Sequence, residues 1–248
     1  RRTVLVDHDG RVERVDPFEP GLRSGRMAEG ECEQQPGGDQ EEGGTQSAHV
    51  DVRLPVPLGY RAAMVATPSA MLPLGTAAPD FELPDPFGAL QTLDDVAGES
   101  PVLVVAFLSN HCPYVKHIGR EIGLVTQRLI ARKVAVVGIM SNDVDAYPDD
   151  APPLMGSTAA SYGWDFPYLY DETQDVARAY HAACTPDFFV FDADRRLAYR
   201  GQFDGARPSN DVGATGADLK AAVNALLEGR RPTDDQLPSL GCNIKWRP

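Results

Sequence analysis

A chain of 248 residues with 42% hydrophobic content can bury a sizeable core, in one large domain or two small ones. Its formal net charge of −13 offers no positive surface to nucleic acid or anionic membrane, and neither a membrane-length apolar run nor a secretory-signal layout is present, so a soluble cytoplasmic protein is expected. The cysteines, Cys32, Cys112, Cys184 and Cys242, are too few and too scattered for a disulfide scaffold or paired metal-ligand clusters, and read as individual thiols.

Residues 1–66 differ from the rest. Val4 to Val12 can form an isolated hairpin around Asp9-Gly10, and Ala28 to Ser47, rich in Gly, Glu and Gln, predicts a disordered extension in which Cys32 is an idle thiol. Residues 67–248 read as one globular domain. Phe81-Glu82-Leu83 and Leu90 to Leu93 flank a Pro86-Phe87-Gly88 turn as a leading hairpin. Val102 to Leu108 is a near-continuous apolar run with β-branched residues, the pattern of a strand covered on both faces. A helix over 113–132 follows, with Val115, Ile118, Ile122, Val125 and Leu129 on one face, and then a strand from Val134 to Met140, giving a βαβ unit.

Pro148, Pro152 and Pro153 punctuate a long segment ahead of a shorter helix through Tyr162, and Pro167 to Tyr170 predicts a short edge strand. Asp171 with Gln174 has the form of a capping box for a helix carrying Val176 and Tyr180. Asp187–Phe191 and Leu197–Arg200 predict an antiparallel hairpin turned at Asp192-Ala193-Asp194, and Leu219, Ala222, Val223, Leu226 and Leu227 line a final helix. The tail from Pro232 to Pro248 has no clear periodicity and is expected to pack back as irregular structure.

Cys112 stands where the buried strand turns into the long helix. Pro113 suits the first helical position, and Ser109 or Asn110 can cap the N–H groups before it. A helix N-terminus carries partial positive charge and unpaired N–H donors, both of which favour thiolate over thiol, and Lys116 and His117 follow closely. A small buried cysteine that merely packs is the blander alternative. Cys112 has no second thiol three residues away on either side, since Ser109 and Val115 occupy those positions. His111, His117 and His181 could be grouped with Cys112 and Cys184 only in a loose metal pattern, so surface histidines and no metal are expected.

Ser109-Asn110-His111-Cys112-Pro113-Tyr114-Val115-Lys116-His117, with Thr185-Pro186 and Gly241-Cys242-Asn243-Ile244-Lys245-Trp246, resembles the peroxiredoxin-like branch of the thioredoxin superfamily, related to the alkyl hydroperoxide reductase and thiol-specific antioxidant proteins. The resemblance runs from about Pro68 to Pro248. It implies an α/β thioredoxin-like fold, with a central mixed sheet flanked by helices, and a thiol oxidoreductase that reduces peroxides or disulfides in cell redox homeostasis. Regeneration by a cellular dithiol and no bound cofactor are implied as well.

By the same resemblance Cys112 is the nucleophile and Cys184 the resolving thiol; Cys242, in a tail that can fold over the site or pack elsewhere, ranks second as a resolving thiol and takes no role from the resemblance. Ser109 stands where peroxiredoxins place a threonine that helps hold the peroxide. Thr185-Pro186 corresponds to a loop whose cis-proline faces the nucleophile, and His111, Pro113 and Lys116 fall at the substrate-binding positions. Arg200 could assist a peroxide, or form a surface ion pair. The chain departs from the peroxiredoxin pattern at Val105, where that family has a proline. A non-catalytic binding module that keeps the fold is the alternative from a different functional class.

Overall fold

The structure, a computed structural model, describes residues 66–248 together with two short strands, β1 (Val4–Val6) and β2 (Val12–Arg14). The chain divides into units Arg1–Val56 and Pro57–Pro248. In the first, β1 and β2 pair antiparallel with Val6 opposite Val12, the hairpin that Asp9-Gly10 predicts. Cys32 and the stretch Ala28–Ser47 lie outside the described residues.

The second unit runs in order through β3 (Ala66–Pro68), β4 (Glu82–Pro84), β5 (Leu90–Thr92), α1 (Leu93–Ala97), β6 (Leu103–Phe107), α2 (Pro113–Ile130) and β7 (Ala135–Met140). A 3₁₀ turn at Pro148–Asp150 leads to α3 (Pro152–Tyr162), β8 (Tyr168–Tyr170), α4 (Asp175–Ala179), β9 (Cys184–Thr185), β10 (Asp187–Phe191), β11 (Leu197–Gly201), α5 (Ala217–Leu227) and β12 (Leu240–Asn243). Because β3 begins at Ala66, the globular unit starts before the boundary expected after residue 66.

The central sheet has the order β11-β10-β6-β7-β8. β6, β7 and β8 are parallel, and β10 is antiparallel to both β6 and β11, so the sheet is mixed. Its central strands β6 and β7 are apolar throughout because both faces are covered. On one side Val104 and Ala106 of β6 pack with the α2 stripe Val115, Ile118, Ile122, Val125 and Leu129 and with Leu219 and Val223 of α5. On the other side Leu103, Val105 and Phe107 pack with Leu93, Ala97, Ala177 and Tyr180.

Helix α2 sits close to the segment after α3 because it carries glycine there. A Cβ on Gly123 would lie 2.2 Å from the Tyr162 carbonyl, and Trp164 Nε1 donates to the Gly119 carbonyl at 2.8 Å. This fixes the helix whose N-terminus carries Cys112.

Three local expectations need correction. Thr92 and Asp95 form a capping box that starts the unforeseen helix α1, the Asp95 N–H donating to Thr92 Oγ1 at 3.1 Å and the Thr92 N–H to Asp95 Oδ2 at 3.0 Å. Asp171 does cap α4, accepting from the Ala177 N–H at 2.9 Å, but Gln174 does not complete a box. Its side chain instead donates to the carbonyls of Ser141 at 2.6 Å and Lys245 at 2.8 Å. The tail expected to be irregular contains β12, which lies between β3 and β9 in a three-stranded sheet.

Candidate active site

Cys112 is the N-cap residue of α2 and is fully buried, the helix starting at Pro113 as the sequence predicts. Its thiol donates to the Thr185 carbonyl at 3.1 Å. The Thr185-Pro186 bond is cis, and Thr185 belongs to β9, so the loop expected to face the nucleophile does so.

The thiol in contact with Cys112 belongs to Cys242. β12 pairs with β9 so that Cys242 stands opposite Thr185, which directs its side chain to the Cys112 sulfur. Gly241 allows this approach, because a Cβ there would lie 2.0 Å from the Thr185 carbonyl oxygen. Cys184, the thiol expected first as the partner, sits one residue earlier on β9, beside Ser69, Asp187 and the Pro186 carbonyl. Strand alternation points neighbouring side chains to opposite faces, which turns Cys184 away from the contact that Thr185 makes. The order of proximity is therefore the reverse of the expected one.

Burial by itself would raise the Cys112 thiol. It is outweighed by donors that converge on the sulfur: the Cys242 thiol, the Thr185 hydroxyl, and the backbone N–H groups of Val115 and Cys242, which together lower it to about 6. The Val115 N–H is one of the unpaired donors of the first turn of α2. The Thr185 hydroxyl is buried and makes no other hydrogen bond. Cys242 moves the opposite way, pushed up by its hydrogen bond to Cys112 and then by burial. Cys184 is pushed up by burial and by the Asp187 charge. One cysteine is thus biased toward thiolate and two toward thiol.

The loop before Cys112 hangs on a residue that the sequence reading did not single out. Asp150, fully buried at the end of the 3₁₀ turn, accepts from Ser109 Oγ at 3.0 Å, the Asn110 N–H at 2.6 Å, the His111 N–H at 3.2 Å, His111 Nδ1 at 2.7 Å and Asn142 Nδ2 at 2.6 Å. Burial would raise its carboxyl, but the bonds from His111 and Asn142 hold it below the usual carboxylate range. Ser109 is buried and engaged on both sides, since its Oγ donates to Asp150 and accepts from the Cys112 N–H at 3.1 Å. In this arrangement the hydroxyl expected to hold a peroxide positions the cysteine loop.

His111 is partly exposed and stacks on Tyr147 with ring centroids 5.5 Å apart and planes 7° from parallel. Lys116 is exposed on the first turn of α2, and Pro113 is half-buried at its start. His117 and His181 are both exposed, and the described residues hold no group of three or more His, Cys, Asp or Glu side chains placed to bind a metal. Arg200 donates to Gln236 Oε1 at 2.7 Å, away from the cysteines.

Beyond β12 the chain stays strapped down. The Ile244 N–H donates to the Ala183 carbonyl at 3.1 Å, the Lys245 N–H to Asn142 Oδ1 at 2.8 Å, and the Arg247 N–H to Gln174 Oε1 at 2.8 Å. The Arg178 guanidinium lies 4.5 Å over the Trp246 ring. A cavity of about 360 Å³ opens beside His111 and Lys116, and one of about 520 Å³ lies by α5 and residues 230–237; neither is lined by a cysteine. No described helix is long and apolar enough to cross a membrane.

Comparison with known proteins agrees with this architecture. Residues 74–200 match the AhpC/TSA family. A crystal structure of a hypothetical protein from Sinorhizobium meliloti 1021 is 50% identical, covering 73% of this chain and 98% of that one, with a TM-score of 0.71. An uncharacterized conserved protein from Geobacillus kaustophilus is 47% identical, covering 75% and 98% of the respective chains, with a TM-score of 0.72. No curated protein shows significant similarity. The mixed sheet with helices on both faces is a thioredoxin-like fold.

Proposed function

Since the chain belongs to the AhpC/TSA family, we propose that it is a thiol-dependent oxidoreductase in which Cys112 attacks a peroxide or a disulfide and Cys242 resolves the product. One observation carries the reading: the Cys242 thiol meets the Cys112 sulfur at the N-terminus of α2, with the pKa of Cys112 lowered and that of Cys242 raised. A nucleophile held as thiolate beside a partner held as thiol is the pairing that two-step thiol chemistry needs.

With a hydroperoxide, the Cys112 thiolate attacks one oxygen. The O–O bond breaks, an S–O bond forms, and the departing alkoxide or hydroxide takes a proton from solvent, leaving a sulfenic acid. Cys242 then attacks that sulfur, the S–O bond breaks, and the hydroxide leaves as water with the proton from Cys242. With a disulfide, Cys112 displaces one thiolate and Cys242 displaces the other. Either route ends in a Cys112–Cys242 disulfide, which external thiols reduce. The Thr185 hydroxyl and the Val115 N–H support the thiolate before attack.

The complete burial of Cys112 favours a second reading, a binding module without turnover. Stopped-flow mixing of the reduced protein with hydrogen peroxide and with a model disulfide separates the two, followed by peptide mapping without reduction. Rapid oxidation with a Cys112–Cys242 linkage is expected. A Cys112–Cys184 linkage would overturn the role of Cys242, and no reaction with either oxidant would leave the binding module.

A further inference from the structure

The cavity of about 360 Å³ between the first turn of α2 and α3 has a lining unlike the apolar surroundings of the cysteines. Asn110, His111, Lys116, Asp149, Thr158 and Ser161 contribute to it. Lys116 and Asp149 are both exposed, and among the described residues neither side chain has an ion-pair partner. The His111 ring is held in place, its Nδ1 taken by Asp150 at 2.7 Å and its face stacked on Tyr147, so Nε2 is the nitrogen left for a ligand. One unpaired cation, one unpaired anion, an oriented imidazole and hydroxyls therefore share a space with the volume of about a dozen liquid waters.

We propose that this cavity is a subsite for a small thiol bearing an amino-acid head, its carboxylate toward Lys116 and His111 and its ammonium toward Asp149. A plain anion would meet Asp149 and a plain cation would meet Lys116, whereas a zwitterion complements both. The placement gives such a ligand a task, and this part rests on the redox reading of Cys112. His111 directly precedes the nucleophile and Lys116 lies one turn beyond it, so a head seated here holds its sulfur beside the Cys112 loop. The ligand is then the reductant. A first thiolate attacks the Cys112–Cys242 disulfide, breaking that S–S bond and forming a mixed one. A second thiolate attacks the mixed disulfide, and the two protein sulfurs take up protons. Two small thiols thereby leave as one disulfide.

The test uses the full chain carrying Cys112→Ser, which cannot exchange at the nucleophile, titrated with S-methylglutathione and followed by NMR. Saturable shifts are expected in the amides of residues 110–112 and 114–117 and in the His111 ring. Lys116→Glu and Asp149→Lys should each weaken binding at least tenfold, and Thr158→Val should weaken it less. Propionate and ethylamine should bind at least tenfold more weakly than the zwitterion. Affinity unchanged from the parent protein in either charge variant, or propionate binding as well as S-methylglutathione, would overturn the subsite. Because both charged side chains are exposed, unchanged circular dichroism in the variants separates lost binding from lost folding. Oxidation of the wild-type protein by peroxide is measured alongside. If it fails while binding holds, the redox reading falls and the subsite stands; if binding fails while oxidation holds, only the subsite falls.

Discussion

Replacing Asp150 with alanine should be among the most damaging single changes outside the cysteines. The buried carboxylate takes bonds from Ser109 Oγ, the N–H groups of Asn110 and His111, His111 Nδ1 and Asn142 Nδ2. Ser109 and His111 can turn, but the two backbone N–H groups and the Asn142 amide have no other acceptor at hand. Each stranded donor costs about 1–3 kcal/mol, and water entering the vacated space offsets part of it, so a loss of about 3–5 kcal/mol is expected. Set against a typical domain stability of about 5–15 kcal/mol, that is a large share. Asp150→Asn keeps the volume and one acceptor oxygen but turns an amide N–H₂ toward donors, and should lose about half as much. The folded carboxyl lies below the unfolded value of about 3.9. The part of its contribution linked to ionisation is therefore present above about pH 4 and is lost as pH falls through the lower folded value, so the gap between wild type and variant should narrow in acid. Urea unfolding at pH 7 and in acid measures both quantities. A variant within about 1 kcal/mol of wild type at pH 7 would refute the reasoning.

Cys242→Ala removes a donor from the Cys112 sulfur, so the midpoint of Cys112 alkylation by iodoacetamide should move up from about 6 by about one pH unit, reactivity appearing only at higher pH; an unmoved midpoint would show that Cys242 does not hold the thiolate. Gly241→Ala would place a methyl 2.0 Å from the Thr185 carbonyl, which backbone on both sides prevents from relaxing, at a cost of about 1–3 kcal/mol. Amide exchange in β12 should speed up, and unchanged exchange would count against the close approach. Asp187 is fully buried, and burial raises its carboxyl to about 7 although Ser69 donates to Oδ1 at 2.6 Å. The folded state therefore holds that proton more tightly than the unfolded chain, and stability should decline as pH rises from about 4 through about 7. Asp187→Asn should flatten that decline in chemical denaturation, and an identical slope would mean that another group causes it.

The elements legible in the sequence were those whose residues announce their own environment. β6, β7 and β10 are apolar runs because both faces are buried, and the α2 stripe from Val115 to Leu129 repeats at helical spacing. Cys112 was legible for the same reason, since Pro113 marks where the helix starts. What escaped depends on partners distant in the chain. Asp150 is an aspartate among prolines until Ser109, Asn110, His111 and Asn142 are brought to it. β12 is short and interrupted by glycine, and becomes a strand only because β3 and β9 lie on either side. The neighbour relation of Cys242 and Cys112 follows from that pairing and from no spacing in the sequence. Gln174 misled because its distance from Asp171 suits a capping box, while its amide is used to anchor Lys245. The Thr92 and Asp95 box did carry a local signal that could have placed α1.

The seat of Trp246 makes the protein its own optical gauge. The chain holds two tryptophans. Trp164 is buried among Tyr162, Phe166 and Tyr168, donates to the Gly119 carbonyl, and should emit as a constant, blue-shifted background. Trp246 follows Cys242 by four positions, is 38% exposed, and lies beneath the Arg178 guanidinium. Any event that lifts β12 from β9 changes the solvent and the charge over that one indole while leaving the other alone. Unlabelled protein should therefore signal movement of its C-terminal strap in ordinary fluorescence, with Trp246→Phe supplying the blank.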